Sequence, residues 1–222
     1  PHRGAGNGDR AMIFALLPVK EPRNAKQRLI PLLSAARRER LARLLFEQTL
    51  AALMAARGID RVVVVTSDTA AAAHARSRGA MVFEEREQRH HSASADAACR
   101  RAMELGAATA MLVPIDVPLA TPADFEKLAA AARPGLIIVP SADGTGTNAL
   151  VRTPPDVIES RFGPGSFKAH LEQARARGVP VEVLRLAGLM FDIDTPEDVG
   201  QLLARAPASG AARYLESACT SR

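Results

Sequence analysis

Four consecutive valines, Val62 to Val65, lie between Arg61 and Thr66 and leave this chain few folds to choose from. A strand with one wet face alternates apolar and polar residues. An unbroken β-branched run therefore asks for cover on both faces, the condition of a strand inside a parallel sheet. Met12 to Val19 reads as a first buried strand of the same kind. Ala110 to Ile115 reads as another, running to Asp116 and ended by Pro118, which cannot donate to a ladder. Helical patterns separate these runs. Ser34 caps a long helix whose apolar face includes Leu41, Leu44, Leu45 and Leu53 and which ends near Gly58. Ala70 to Arg78 predicts a short helix stopped by Gly79, and Ser92 to Leu105 a further one. Thr121-Pro122 opens a helix with an N-cap and a proline in the first turn. Ala80 to Phe83, Gly135 to Pro140, Asn148 to Val151 and Val181 to Leu186 read as strands, and Ser166 to Arg177 as a helix with Ser166 as its cap. Strands alternating with helices predict a three-layer α/β/α sandwich around a mostly parallel mixed sheet.

The 222 residues suit a single domain, placed at 11–205, and 47% apolar content is ample for its core. The Gly-rich segment 1–10 is expected to be disordered, and 206–222, rich in Ala and Ser, to be a loosely packed tail. No run is long and apolar enough to cross a membrane, and no secretory leader is recognisable. Cys99 and Cys219 have neither zinc nor redox spacing, which points to a reducing cytoplasm. A net charge of +5 with 4% aromatic residues leaves little to stack on bases, so nucleic acid is not an expected partner. A small anionic substrate accounts for a mild positive excess equally well. Monomer and homodimer both stay open.

Carboxylates stand where open α/β sheets place ligands. Asp116 follows a buried run, at the carboxyl end expected of a binding crevice. Asp192 and Asp194 alternate, so on a strand both side chains face one way, and Thr195-Pro196-Glu197-Asp198 then starts a helix. Asp116 and Asp192 together make a plausible Mg²⁺ seat, since Mg²⁺ takes one or two carboxylates and fills its octahedron with water and phosphate oxygens. The loop after the first strand carries Lys20, Arg23, Lys26 and Arg28 but no glycine. It is thus neither a dinucleotide fingerprint nor a P-loop, and would grip phosphate through side chains. Gly144-Thr145-Gly146-Thr147 frees backbone and hydroxyls for a ligand, and Gly163-Pro164-Gly165-Ser166 leads into a helix N-terminus suited to an anion. His90-His91 lacks partners at zinc spacing and reads as a polar loop against a nucleotide base or solvent.

In chain order these blocks resemble the guanylyltransferase family of coenzyme F420 biosynthesis, nucleotidyltransferases with a glycosyltransferase-A-like, nucleotide-diphospho-sugar transferase fold. The matching stretches are Pro18-Val-Lys20, Ala25-Lys26-Gln-Arg28-Leu29, Val62 to Asp68, Asp116-Val-Pro-Leu119, Gly144 to Leu150, Arg161-Phe-Gly-Pro-Gly-Ser166 and Asp192 to Asp198. The resemblance covers residues 12–204. It implies transfer of GMP from GTP to 2-phospho-L-lactate, phosphoenolpyruvate or 3-phospho-D-glycerate, with Mg²⁺ as cofactor. Asp116 and Asp192 would be the metal ligands, with Asp194 as an additional or outer one. Lys20, Lys26 and Arg28 would bind the triphosphate, with Lys26 and the two aspartates catalytic. Thr147, Gly163 and Ser166 would form the acceptor pocket. Where the family carries a Gly-Leu-Asn segment facing guanine, this chain has Arg89-His90-His91-Ser92, with Ser92 nearest the Asn. That departure bears on base selectivity. Two rivals remain at this level: a molybdenum-cofactor-type nucleotidyltransferase, which lacks a matching glycine-rich loop here, and a non-catalytic nucleotide-binding subunit.

Overall fold

The computed structural model describes residues 11–21, 25–85 and 90–220; the N-terminal segment 1–10, Arg23 and Arg89 lie outside them. Seven strands form one sheet: β1 (Met12–Val19), β2 (Arg61–Thr66), β3 (Met81–Glu84), β4 (Ala107–Leu112), β5 (Gly135–Pro140), β6 (Thr147–Thr153) and β7 (Val181–Val183). Their order is β3-β2-β1-β4-β6-β5-β7. β1 pairs in parallel with β2 and β4, β2 with β3, and β5 with β7. β6 alone runs antiparallel, to β4 and to β5. The strand order reverses between β1 and β4, the switch point at which open α/β sheets bind ligands.

Period-2 geometry divides the first strand between two cores. Ile13, Ala15, Leu17 and Val19 face α1 (Ala35–Ala55), α2 (Thr69–Ser77) and α4 (Pro122–Ala131). Phe14 and Leu16 face α3 (His91–Glu104) and α5 (Ser166–Ala176). All four valines of β2 are buried, as their unbroken run requires. This is the expected three-layer sandwich.

Several expectations shift in detail. β4 stops at Leu112, short of Asp116: the Val113 N–H donates to Leu16, and Pro114 has no N–H to extend the ladder. Phe191 to Asp194 is extended but joins no strand; it follows the short helix α6 (Ala187–Met190) and precedes α7 (Pro196–Arg205). The Ser166 cap is also corrected. Gly165, left-handed at φ 72°, takes the cap position and Ser166 is the first helical residue, because a side chain at that φ would be strained. β7 ends at Val183 rather than Leu186.

The C-terminal stretch is not loose. Gly210–Thr220 forms α8, whose Ala211, Ala212, Leu215 and Ala218 are buried in a third cluster with Leu41 and Leu45 of α1 and Leu202 of α7. Tyr214 donates its hydroxyl hydrogen to the Arg37 carbonyl at 2.9 Å. Alanines at helical spacing allow that close approach. Read as composition alone, the same residues suggested a tail.

Candidate active site

A single backbone hydrogen bond joins the two acidic segments: the Ile193 N–H donates to the Asp116 carbonyl at 3.1 Å. Phe191 and Ile193 bury their side chains, 3% and 0% exposed, so the alternating Asp192 and Asp194 turn toward the cleft side. Gly188 lets α6 approach this corner; a Cβ there would lie 2.6 Å from the Leu119 carbonyl oxygen. The Thr195 capping box, closed by Asp198, fixes the following helix start.

Lys26 completes the corner. Its ammonium lies 2.9 Å from Asp116 Oδ2, 3.0 Å from Asp194 Oδ1 and 2.6 Å from the Ile193 carbonyl oxygen. Burial pulls its pKa down, but Asp116 and Asp194, by charge and by hydrogen bond, outweigh burial and hold it above the ordinary lysine value. The residue adopts φ 53°, the left-handed region, although it is not glycine. Such a conformation costs on the order of 1–3 kcal/mol and persists where the surroundings over-determine it, as these three contacts do. In this structure Lys26 is thus partner to the carboxylates rather than a free arm awaiting phosphate.

Asp192 meets a different neighbour. The Asn148 amide nitrogen, on β6, lies 3.0 Å from Asp192 Oδ1 and also reaches the carbonyls of Leu189 and Met190. Burial raises the Asp192 pKa; the Asn148 hydrogen bond opposes this, Asp116 and Asp194 add to it, and Lys26 opposes it again. Among the described residues, no three His, Cys, Asp or Glu side chains are grouped to hold a metal by themselves. Asp194 in particular is engaged with Lys26.

Beside this corner a cavity of about 210 Å³ is lined by Pro18, Lys20, Glu21, His91, Pro114 and Asp116, among others. Lys20 is exposed at its edge; Arg28, on a single 3-10 turn, is also exposed but does not line it. His91, rather than Ser92, forms the wall. The Ser92 hydroxyl oxygen instead accepts from the Phe162 N–H at 3.0 Å, tying α3 to the loop before α5.

A smaller adjoining cavity is lined by Thr147, Phe162, His91, Pro18, Leu112, Val113 and Pro114. Gly163 to Ser166 forms a turn beside it, with the Ser166 N–H donating to Gly163 and the Phe167 N–H to Thr145. Gly163 has φ 127°, and a Cβ built on it would meet nothing within 4 Å, so its backbone conformation and not crowding demands glycine. Ser166 is 2% exposed. Below the turn, the buried Arg152 guanidinium binds Asp96 at 2.9 Å, the Ile158 carbonyl and Ser160, bracing residues 158–160.

The sequence reading missed His170; it had His91 only as part of a polar loop against a base or solvent, and Asn148 only as the end of the Gly-Thr-Gly-Thr string, with no role for either. His170 lies four residues after Ser166 on one helix, a spacing that places both on one face and could have flagged it. Nothing local to Asn148 signalled its partner Asp192, 44 residues away.

The strand order that reverses between β1 and β4, with carboxylates at its mouth, defines an open α/β fold with its ligand crevice there, and solved nucleotidyltransferase structures share that fold. A nucleotidyl transferase from Methanothermobacter thermautotrophicus superposes with TM-score 0.65 at 17% identity, covering 93% of this chain and 99% of that one. A 4-diphosphocytidyl-2C-methyl-D-erythritol synthase from Anaerococcus prevotii gives 0.61 at 12% identity, covering 93% and 96%. At such identities the likeness speaks to fold.

Sequence goes further. Residues 13–221 match the family described as "Guanylyl transferase CofC like", and the chain belongs to that family. It is 40% identical over 204 residues to the phosphoenolpyruvate guanylyltransferase of Rubrobacter xylanophilus, covering 91% of this chain and 97% of the relative. It is 33% identical to the 2-phospho-L-lactate guanylyltransferase of Methanothermobacter thermautotrophicus, over 90% and 88% of the two chains. It is also 33% identical to the 3-phospho-D-glycerate guanylyltransferase of Colwellia psychrerythraea, over 85% and 90%.

Proposed function

We propose that this chain transfers GMP from GTP to a small phosphorylated carboxylic acid, with release of pyrophosphate, as a step in coenzyme F420 biosynthesis. Phosphoenolpyruvate is our reading of the acceptor, supported by the relatives of that name at 40% and 39% identity. The observation that carries the reading is the meeting of Asp116, Asp192, Asp194 and Lys26 at the mouth of a cleft beside Thr147 and the Gly163–Ser166 turn.

A cation fits this corner. Three carboxylates against one ammonium leave a net negative charge at the corner, and the charges of Asp116 and Asp194 add to the burial that raises the Asp192 pKa. Asp116 and Asp192 would hold Mg²⁺, whose remaining positions suit water and phosphate oxygens, and Asp194 would serve from outside through Lys26. Bound there, Mg²⁺ would neutralise charge on the transferring phosphate.

The chain's own groups supply the rest. Lys20 offers a positive charge at the cleft edge, and Thr147 and the turn before α5 hold the acceptor. The acceptor's phosphate oxygen attacks the α-phosphorus in line; the α–β bridging P–O bond breaks, and its electrons leave with pyrophosphate. That oxygen is already anionic at neutral pH, so the nucleophile needs no base. Catalysis then rests on positioning and charge.

The test is pyrophosphate release from each of four nucleoside triphosphates with each of the three acceptors, with product masses. Turnover with GTP and phosphoenolpyruvate is expected. Release with molybdopterin alone, or with no acceptor, would overturn the proposal.

A further inference from the structure

Two hydrogen bonds decide which way the Thr147 hydroxyl points. The Arg161 backbone N–H donates to His170 Nε2 at 2.9 Å. A backbone N–H can only donate, so Nε2 presents its lone pair, and in a neutral ring the proton sits on Nδ1. Nδ1 lies 3.1 Å from Thr147 Oγ1 and donates to it. The ring is neutral at ordinary pH: burial first, then the Arg152 charge, push its pKa down to about 4 against the pull of Asp96. It is fully buried, and Phe162 packs edge-on against it with centroids 5.3 Å apart.

Oγ1 therefore has a lone pair filled from His170, and its own hydrogen cannot point that way. Among the described residues no other partner for that hydroxyl is seen. Thr147 lines the small cavity beneath Phe162 and His91, so the hydrogen is left for whatever enters it.

We infer that His170 is a positioning residue that makes Thr147 a hydrogen-bond donor toward an oxyanion of the acceptor substrate, and so favours a carboxylate or phosphate oxygen over a group bearing its own hydrogen. The identity of the ligand rests on the function proposed above; the orientation of the hydroxyl does not.

Two measurements test it. In the ¹⁵N-histidine-labelled full chain, NMR should report the His170 ring as the Nδ1–H tautomer; the Nε2–H tautomer would overturn the inference, whatever the enzyme's activity. Steady-state kinetics with phosphoenolpyruvate and GTP then separate positioning from mere structure. His170→Gln keeps an acceptor for Arg161 but loses the donor to Thr147. It should raise the acceptor KM about tenfold, the worth of one hydrogen bond, with the GTP KM unchanged. His170→Asn, which restores a donor near Nδ1, should recover most of that loss. In a Thr147→Val background, His170→Gln should add nothing. Equal rises in both KM values, or full additivity with Thr147→Val, would make His170 structural only. Should no acceptor turn over, the proposed function fails while the tautomer result still decides this inference.

Discussion

Replacing Lys26 by methionine removes the ammonium that bridges Asp116 and Asp194 in this structure. At about 3 Å and an effective dielectric near 20, each of its two ion pairs attracts with about 5 kcal/mol before desolvation. Desolvating the ammonium, 6% exposed, returns much of that, and the Asp116 and Asp194 carboxylates, 25% and 42% exposed, can rehydrate when it leaves. Losing one partner of a fully buried pair costs about 3–5 kcal/mol, so these half-exposed acceptors place Lys26→Met lower, at about 2–3 kcal/mol. In a chain of this size each kcal/mol shifts Tm by about 2–4 °C, giving a fall of about 4–12 °C. Differential scanning calorimetry without divalent metal reads this directly. Repeated with Mg²⁺ and no nucleotide, the variant should gain more Tm than the wild-type protein, because three uncompensated carboxylates bind a cation more strongly than three sharing an ammonium. A variant that melts with the wild type and gains no more from Mg²⁺ would refute both the energetic role of Lys26 and the charge deficit assigned to this corner.

Asp192→Asn should lower kcat at least a hundredfold at saturating Mg²⁺ while the Asn148 contact and the melting temperature hold; pyrophosphate-release assays and calorimetry check the two halves. The pH dependence of stability carries a definite sign. His170, depressed to about 4 in the folded chain, binds its proton less readily there than when unfolded. Stability from this residue is full above about 6.5 and is lost as pH falls toward 4, by up to about 3 kcal/mol. His91, lowered chiefly by burial, acts the same way, whereas Asp192, raised by burial, opposes it. Urea melts between pH 7 and 4.5 should therefore show a shallower loss for His170→Gln than for the wild type; an unchanged slope would show that His170 is not buried neutral.

Much of the architecture was legible because its signals are local. The four valines of β2, the Thr-Pro openings of α4 and α7 and the Ser34 cap act over one to four residues, within reach of sterics and capping hydrogen bonds. Asp116, Asp192 and Asp194 could be singled out for the same reason, since acidic side chains beside apolar residues stand out locally, although none of the three lies in a strand. Strand direction was less legible. Nothing in the residues of β6 declares that it runs against its neighbours, because a strand buried on both faces looks alike in either sense.

What the linear chain by itself determined is a covered, mostly parallel sheet with acid groups and hydroxyls at its ligand-binding edge. Tertiary structure alone decided how those groups meet. Lys26 reaches carboxylates 90 and 168 residues away. Asn148 aims Asp192 across 44 residues, and His170 turns the Thr147 hydroxyl across 23. Such pairings depend on which strands become neighbours and on how closely buried surfaces approach. A polar group taken from water must find a partner, and which partner it finds is set by the whole packed fold and not by the residues beside it.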